Sequence, residues 1–538
     1  MTPPFFTTYP RACAVILASS KGSRLFPITT TERPKHLLPV AGVPSILRLL
    51  RRQGPLSAFP QVVITIAADD TQTISTLVGE KDGVQEAAGG NKVDKPPLEH
   101  AEPLATLQSD NHASSWKFVS NQVQGQVIHV IKLSEDCFGP IDALRQVEAT
   151  KTVDARTRIV VLPGDLVFLK ESNGNGSTNV LDPLIRPSSN GACISMLVDV
   201  LEQDEHGNAL KESAKARIGG LSRDEEDIEY IALSFPSKSW VENSYTTNER
   251  LPQIILKKSK SEIEADEDMT GSTAKLQIPK ARLRQGEVVI RTEWSDVHVY
   301  SFAPWVRQLI VSRTKNLSSI QEDLLPLLIA RQHRGKRATF GKAGLEVLAE
   351  WTKENIDEEN RGDFSSLSYP SHSPTNTQND ALPTGQDDEP YVVQALILPS
   401  KSALRANSIA AYLFACKEAV STSDTSLPKG SRWNGKFQTL TLPGATLGTK
   451  ITMKSTTVGA NCQLGDKCRL NNVVIMDNAI IGEGCSLQNT IIGHGAKVGN
   501  NCSLSDCQVG PGMEIPSSTK EKGEMFMVGD VMEEEIML

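Results

Sequence analysis

The chain has 538 residues, 39% of them hydrophobic and 5% aromatic, with a formal charge of −8. Such a length predicts two to four domains and at least one large core. The acidic balance argues against a free-standing nucleic-acid binder, which ordinarily presents a basic face. No apolar run reaches the ~20 residues of a membrane span, and Met1–Pro10 lacks the charged start and apolar stretch of a signal peptide. Nine scattered cysteines fit a reducing cytosol better than a secreted disulfide scaffold.

In chain order, Ala12–Ala18 (ACAVILA) reads as a buried strand running into a polar turn, Ser19–Leu25. Further apolar runs at Val62–Ile66, Ile128–Leu133, Ile159–Leu162 and Ala192–Val200 predict strands, and Ile46–Arg52 and Ile141–Glu148 predict helices between them. Strands alternating with helices predict an α/β, Rossmann-like domain with a mainly parallel sheet covered on both faces. Ligands in such sheets sit beyond the carboxyl ends of the strands. The Ser19–Arg24 turn and the Pro163-Gly164-Asp165 turn should therefore face one crevice.

The segment Ala18-Ser19-Ser20-Lys21-Gly22-Ser23-Arg24-Leu25, followed by Pro27, Pro34-Lys35-His36-Leu37-Leu38-Pro39-Val40 and Pro44, resembles the signature loop of the sugar-nucleotide pyrophosphorylases. The chemistry accounts for the residue types. Glycine lets backbone N–H groups approach phosphates; Arg24 and Lys35 are candidate cations for a phosphoryl transition state; Asp165 matches a Mg²⁺-binding carboxylate of that family. Gly139 and Asp142 resemble its Gly-Thr-Ala-Asp segment. Two departures point to a degenerate nucleotide pocket made of Ser20, Gly22, Ser23, Arg24, Lys35, Gly139 and Asp165. Ser20 stands where the family has its first glycine, and a second metal-binding aspartate is not found, since Asp296 lacks the family surroundings and reads as part of a strand. No catalytic residue, metal or cofactor is assigned, residual nucleotide binding aside. The ordinary readings are that Lys35 pairs with a nearby carboxylate, that Asp165 caps the next element and that Gly139 starts a helix.

The sheet domain is drawn over 1–340, with polar inserts near 80–115 and 202–285. The basic run Arg331, Arg334, Lys336 and Arg337 reads as a solvated linker. Residues 341–390 read as a disordered linker, too poor in apolar side chains to offset ordering entropy. Residues 391–435 read as a connecting strand (Tyr391–Leu398) and helix (Ile409–Val420), 436–516 as a repeat domain, and 517–538 as an acidic tail.

The repeat has one period. Val458, Ile475, Ile492 and Val509 lie 17 residues apart, as do Leu464, Ile481, Val498 and Ile515, and Met453, Leu470, Leu487 and Leu504. Three interleaved columns predict a three-sided coil with one short strand per side and each column pointing inward. Resemblance to hexapeptide-repeat proteins implies a left-handed parallel β-helix. Cys468, Cys485 and Cys502 share the spacing. A straight column suits packing rather than tetrahedral zinc, and His494, the one histidine of the coils, is not assigned the general-base role of coil-containing acyltransferases.

Three later segments resemble the gamma subunits of eukaryotic translation initiation factor 2B: Ser295–Tyr300 with Leu317–Ile320 and Asp323–Leu328; Tyr391–Val393 with Leu404–Ile409 and Tyr412; and Val509–Gly512 with Met527–Asp530 and Glu533–Glu535. Epsilon subunits continue into a further helical domain, and none follows Leu538. The resemblance implies a cytosolic, non-enzymatic subunit of a guanine-nucleotide exchange complex. Its implied partners are the epsilon and other exchange-factor subunits and initiation factor 2 as substrate G protein, with no membrane or direct nucleic-acid contact. An active sugar-1-phosphate nucleotidyltransferase is the alternative.

Overall fold

An uninterrupted apolar strand such as Ala12–Leu17 is stable only with both faces covered, and the computed structural model places it in the middle of a large sheet. A few scattered positions aside, the structure describes residues 12–78, 105–169, 179–185, 191–199, 217–222, 228–235, 251–264, 287–340, 390–421 and 427–527. Twelve strands make the sheet. In chain order they are β1 (Ala12–Leu17), β2 (Gln61–Ile66), β3 (Ala105–His112), β4 (Ser115–Ser120), β5 (Val127–Lys132) and β6 (Arg158–Pro163), then β7 (Gly191–Asp199), β8 (Glu229–Phe235), β9 (Gln253–Ser259), β10 (Glu287–Arg291), β11 (Trp294–Phe302) and β12 (Val392–Leu398). Their spatial order is β10-β8-β9-β12-β7-β11-β6-β1-β2-β5-β4-β3.

The strands β6, β1, β2 and β5 are parallel to one another, and β12 is parallel to β7. The other pairs are antiparallel. The sheet is thus mixed rather than mainly parallel. Helices Ser45–Leu50 and Pro140–Ala149 stand where the spacing predicts helices. Two separate buried clusters line the two faces, one around Val15, Val161 and Trp305, the other around Ile16, Val62 and Leu162. No helix among the described residues is long and apolar enough to cross a membrane.

Several boundaries differ from the sequence reading. The insert near 80–115 contributes β3, an edge strand that forms a hairpin with β4; its residues 80–104 lie outside the described ones. The region 202–285 is not simply an excursion, because β8 and β9 belong to the sheet. Their apolar alternation is masked by Glu229 and Lys257, which are buried as partners. The strand Val392–Leu398 does not connect two domains; it lies in the sheet between β9 and β7. Arg331–Lys336 is helical and partly buried rather than a solvated linker. The stretch 341–389 lies outside the described residues.

The C-terminal part is the three-sided left-handed parallel β-helix. Its stacked sheets hold seven, five and five strands; apart from the first strand of the seven, Arg432–Asn434, which pairs antiparallel with Thr439–Thr441, every neighbour is parallel and offset by 17 residues, as in Val458↔Ile475, Leu464↔Ile481 and Leu470↔Leu487. Apart from Met453, which is half-buried, the column residues are buried, each contributing about 1.5–3 kcal/mol relative to exposure. The coils continue through Lys520–Lys522 and Met525–Phe526, so the first part of the expected tail is a further coil, and 528–538 lie outside the described residues. Corners are turned by left-handed residues. Asn472, Asn489 and Asp506, at φ 54°, 48° and 56°, stack one above another, and Asn489 accepts from Asn472 at 3.0 Å while donating to Asp506 at 2.9 Å. Asparagine and aspartate tolerate that backbone better than most residues.

The cysteine column is a hydrogen-bond ladder. The thiols of Cys468, Cys485 and Cys502 donate to the carbonyls of Gly482, Gly499 and Pro516 at 3.1, 3.1 and 3.2 Å, each one coil on. The glycines after the aliphatic columns permit this close stacking. A Cβ on Gly482 would lie 2.8 Å from the backbone of Gly499 and of Asn500. Gly482→Ala is therefore expected to lower stability by about 1–3 kcal/mol through overpacking. Gly495→Asn, at a left-handed corner with open space (φ +64°), should stay within about 0.5 kcal/mol. Denaturant unfolding of the two variants separates close approach from backbone conformation.

A third buried cluster joins the two parts. It contains Leu25, Ile28, Leu38 and Val40 from the loop after β1, Tyr412 and Phe414 from the helix Ile409–Ser421, and Leu442, Val474 and Ile491 from one side of the β-helix. Tyr412 donates to the Pro39 carbonyl at 2.8 Å. A Cβ on Gly42 would fall 2.6 Å from Leu442. The loop carrying the front motif is thus packed beneath the β-helix.

Candidate functional site

Because β1 and β6 are parallel neighbours with Leu17 opposite Pro163, their carboxyl ends deliver Ala18–Ser20 and Gly164-Asp165 side by side. The Gly164 N–H donates to the Leu17 carbonyl at 2.9 Å, and a Cβ there would sit 3.1 Å from Ala18 Cα. Glycine is what lets the two turns touch. Asp165, next in sequence, is fully buried.

Asp165 is held by two cations. Lys35 Nζ donates to its Oδ2 at 2.7 Å, and Arg405 donates to Oδ1 and Oδ2 at 3.1 Å each. Lys35 comes from the short 3₁₀ turn Lys35–Leu37. Arg405 comes from Ala403–Arg405, which pairs antiparallel with Leu166–Phe168 just after Asp165, and the Ala406 N–H donates to the Asp165 carbonyl at 2.9 Å. Burial alone would push the Asp165 carboxyl up, but Arg405 and Lys35 outweigh it and hold the carboxyl well below its ordinary range. A divalent cation arriving here would be a third positive group on one carboxylate. It would have to displace a charge-assisted hydrogen bond in a site with little water to screen the repulsion.

The structure brings Gly22, Lys35 and Asp165 together. Gly22 has φ +85°, and a Cβ on it would lie 2.9 Å from Lys35 Cβ. In this fold the glycine makes room for lysine. Ser23 and Arg24 are exposed on the 3₁₀ turn Ser23–Leu25. Gly139 is elsewhere, at the start of the Pro140–Ala149 helix, where a Cβ would come 2.9 Å from the Ser318 carbonyl oxygen. Asp142, in that helix, pairs with Arg145 at 2.7 Å. Asp165 does not act as a cap, whereas Lys35 does pair with a carboxylate. Ser20 is exposed at a small cleft bordered by Ser19, Thr30, Pro34, Asp69 and Asp70. Asp70 accepts from Thr73 Oγ1 at 2.6 Å and lies 3.3 Å from His36; burial raises its carboxyl, and His36 and Thr73 more than reverse this. A phosphate entering beside Ser20 would face two carboxylates.

Asp296 has a comparable fate. It lies in β11 as the sequence indicates, and accepts from Lys257 at 2.6 Å, Tyr300 Oη at 2.8 Å and the His298 N–H at 2.7 Å. Lys257 also reaches Glu229 at 3.0 Å. Burial works against the charged forms, yet Asp296 is held below its ordinary range by Lys257 and Lys257 is held above its own by Asp296 and Glu229. Arg405, Lys257 and Glu229 were not legible as site residues. Glu229 and Lys257 sit in strands that local periodicity does not place in the sheet, and Arg405 sits in a short strand outside it that pairs only with Leu166–Phe168.

Three histidines are pushed down mainly by burial: His129 to about 4 with help from Lys117, His298 to about 3 with help from Arg405, and His494 to about 4 with help from Arg33. Each is neutral when folded and takes a proton near its ordinary value, about 6.5, when unfolded. Their contribution to stability is complete above about 6.5 and is lost as the pH falls toward 4, because the unfolded chain then binds more protons. His129→Gln should flatten the acid limb of a stability–pH curve over that window.

Residues 439–524 match the family model described as GMPPB C-terminal domain. The match lies in the β-helix and supports a nucleotidyltransferase-like chain ending in such a coil. No curated protein matches the chain.

Proposed function

We propose that this chain is a non-catalytic subunit of the translation initiation factor 2B exchange complex, acting in the cytosol with the epsilon subunit to promote GDP release from initiation factor 2. The observation that carries the non-catalytic reading is the pairing of Asp165 with both Lys35 and Arg405. The residue that would hold a metal and the residue that would hold a phosphate neutralise each other, and a third side chain reinforces the pair. The sequence likeness of Ser295–Tyr300, Leu404–Ile409 and Val509–Gly512 to gamma subunits supports the choice of complex. Exchange needs no bond chemistry, only partners that bind the open, nucleotide-free G protein better than the closed one. A two-part chain joined through a shared core suits that work as a rigid docking body.

An active sugar-1-phosphate nucleotidyltransferase is the second reading. The match of residues 439–524 to the GMPPB C-terminal domain fits it as well as it fits the first. Affinity purification of the tagged chain from its source cell distinguishes them. Recovery of the other exchange-factor subunits is the expected outcome, and recovery of none of them would sink the assignment.

A further inference from the structure

The first coils of the β-helix carry a feature that neither the Asp165 cluster nor the shared core uses. Successive coils stack at ~4.8 Å, and in the sheet containing Thr452–Lys454 and Arg469–Asn471 the outward positions superpose from coil to coil. Lys454 and Arg469 project from this face, and Lys450 and Lys467 stack at the adjoining corner; all four are exposed. One coil before Lys454, with its carbonyl accepting from the Ser455 N–H at 2.8 Å, Phe437 is 49% exposed with the Lys436 ammonium 5.7 Å over its ring. Asp466, the acidic residue of these two coils, accepts from the Thr449 N–H at 2.6 Å. In a chain of net charge −8, this concentration of cations beside an exposed aromatic ring is local and one-sided.

We propose that this face docks a short acidic segment of a partner protein that also carries apolar side chains. Charge complementarity sets the acidic character, and the exposed Phe437 ring beside the cations supplies the apolar contact. A nucleic acid fits less well. The cations do not form a track: the next two coils present Ser486 and Gln488, then Ser503 and Ser505, at the same outward positions, whereas a polyanion follows a continuous groove.

Fluorescence anisotropy with the full chain tests this, using a labelled peptide of alternating glutamate and leucine, a polyglutamate peptide and a uridine oligonucleotide. The mixed peptide is expected to bind most tightly and to weaken with added salt. Its affinity should fall about tenfold in Lys454→Glu/Lys467→Glu/Arg469→Glu and several-fold in Phe437→Ser, but less than about twofold in Lys520→Glu/Lys522→Glu at the far end. Unfolding curves check that the substituted coils remain intact, and Phe437→Ser carries the test alone if the triple variant does not fold. Equal binding by the variants, no binding of the mixed peptide, or tighter binding of the oligonucleotide would overturn the proposal.

Discussion

Asp165→Ala is expected to destabilise the protein by about 3–5 kcal/mol, because it leaves two cations buried without their shared counter-charge. Lys35 keeps only 8% and Arg405 20% side-chain exposure. The loss has a structural address. Arg405 and the Ala406 N–H both hold to Asp165, and the next element in the chain is the helix Ile409–Ser421 that carries the β-helix. Hydrogen exchange in Ala403–Arg405 and the following helix should therefore accelerate before exchange in β1 and β2. Asp165→Asn, which retains an acceptor, should lose less. The pH dependence has a definite sign. The depressed carboxyl of Asp165 stabilises the folded chain above its ordinary value near 4 and ceases to as the pH falls through the lower folded value. In Asp165→Ala that part of the acid loss should vanish, so the two proteins converge in stability on strong acidification. Equal stability at neutral pH would show that the cluster is not a structural lock.

Lys257→Met should have a similar cost, about 3–5 kcal/mol, for the opposite reason. It leaves Asp296 and Glu229 as neighbouring buried carboxylates without the ammonium that lies 2.6 and 3.0 Å from them. In the natural protein Asp296 is held below its ordinary range and favours folding at neutral pH. Without Lys257, burial and Glu229 both favour its protonated form, so its pKa should rise above the unfolded value. Its ionised state then costs stability at neutral pH, and that cost is recovered as the pH falls through the raised pKa. Chemical unfolding at pH 7 and pH 5 should show the gap between Lys257→Met and the natural protein narrowing on acidification; a gap that stays constant or widens would count against the pairing. Adding Asp296→Asn to Lys257→Met should restore part of the loss.

The features legible in the sequence are those whose cause is local. The β-helix announces itself because every coil solves the same packing problem at the same 17-residue interval, and Val458, Ile475, Ile492 and Val509 fill one column in the structure. The strands β1, β2 and β6 are legible because a strand buried on both faces has little choice but to be apolar. The antiparallel part of the sheet is hidden for an equally physical reason. The strand Gln253–Ser259 (QIILKKS) carries two lysines just before its last residue and reads as surface, yet Lys257 is buried because β8 and β11 supply its counter-charges. The strand Val392–Leu398 joins β7 and β9 only after a long intervening stretch, and no local pattern records a pairing of that range. The candidate site was half visible for the same cause. Gly22, Lys35 and Asp165 stand in recognisable turns, whereas Arg405, which completes the cluster, reaches Asp165 across 240 residues. The cysteine ladder was visible as a column but not as a set of donors, since spacing alone does not say which carbonyl a thiol meets.

On the function proposed above, the ion cluster around Asp165 stands in place of metal and triphosphate chemistry. Its most direct test is pyrophosphate release by the purified full-length chain given hexose 1-phosphates, Mg²⁺ and each nucleoside triphosphate in turn. The expected rate is indistinguishable from that of the Asp165→Asn protein. Magnesium-dependent release that disappears in Asp165→Asn would contradict it.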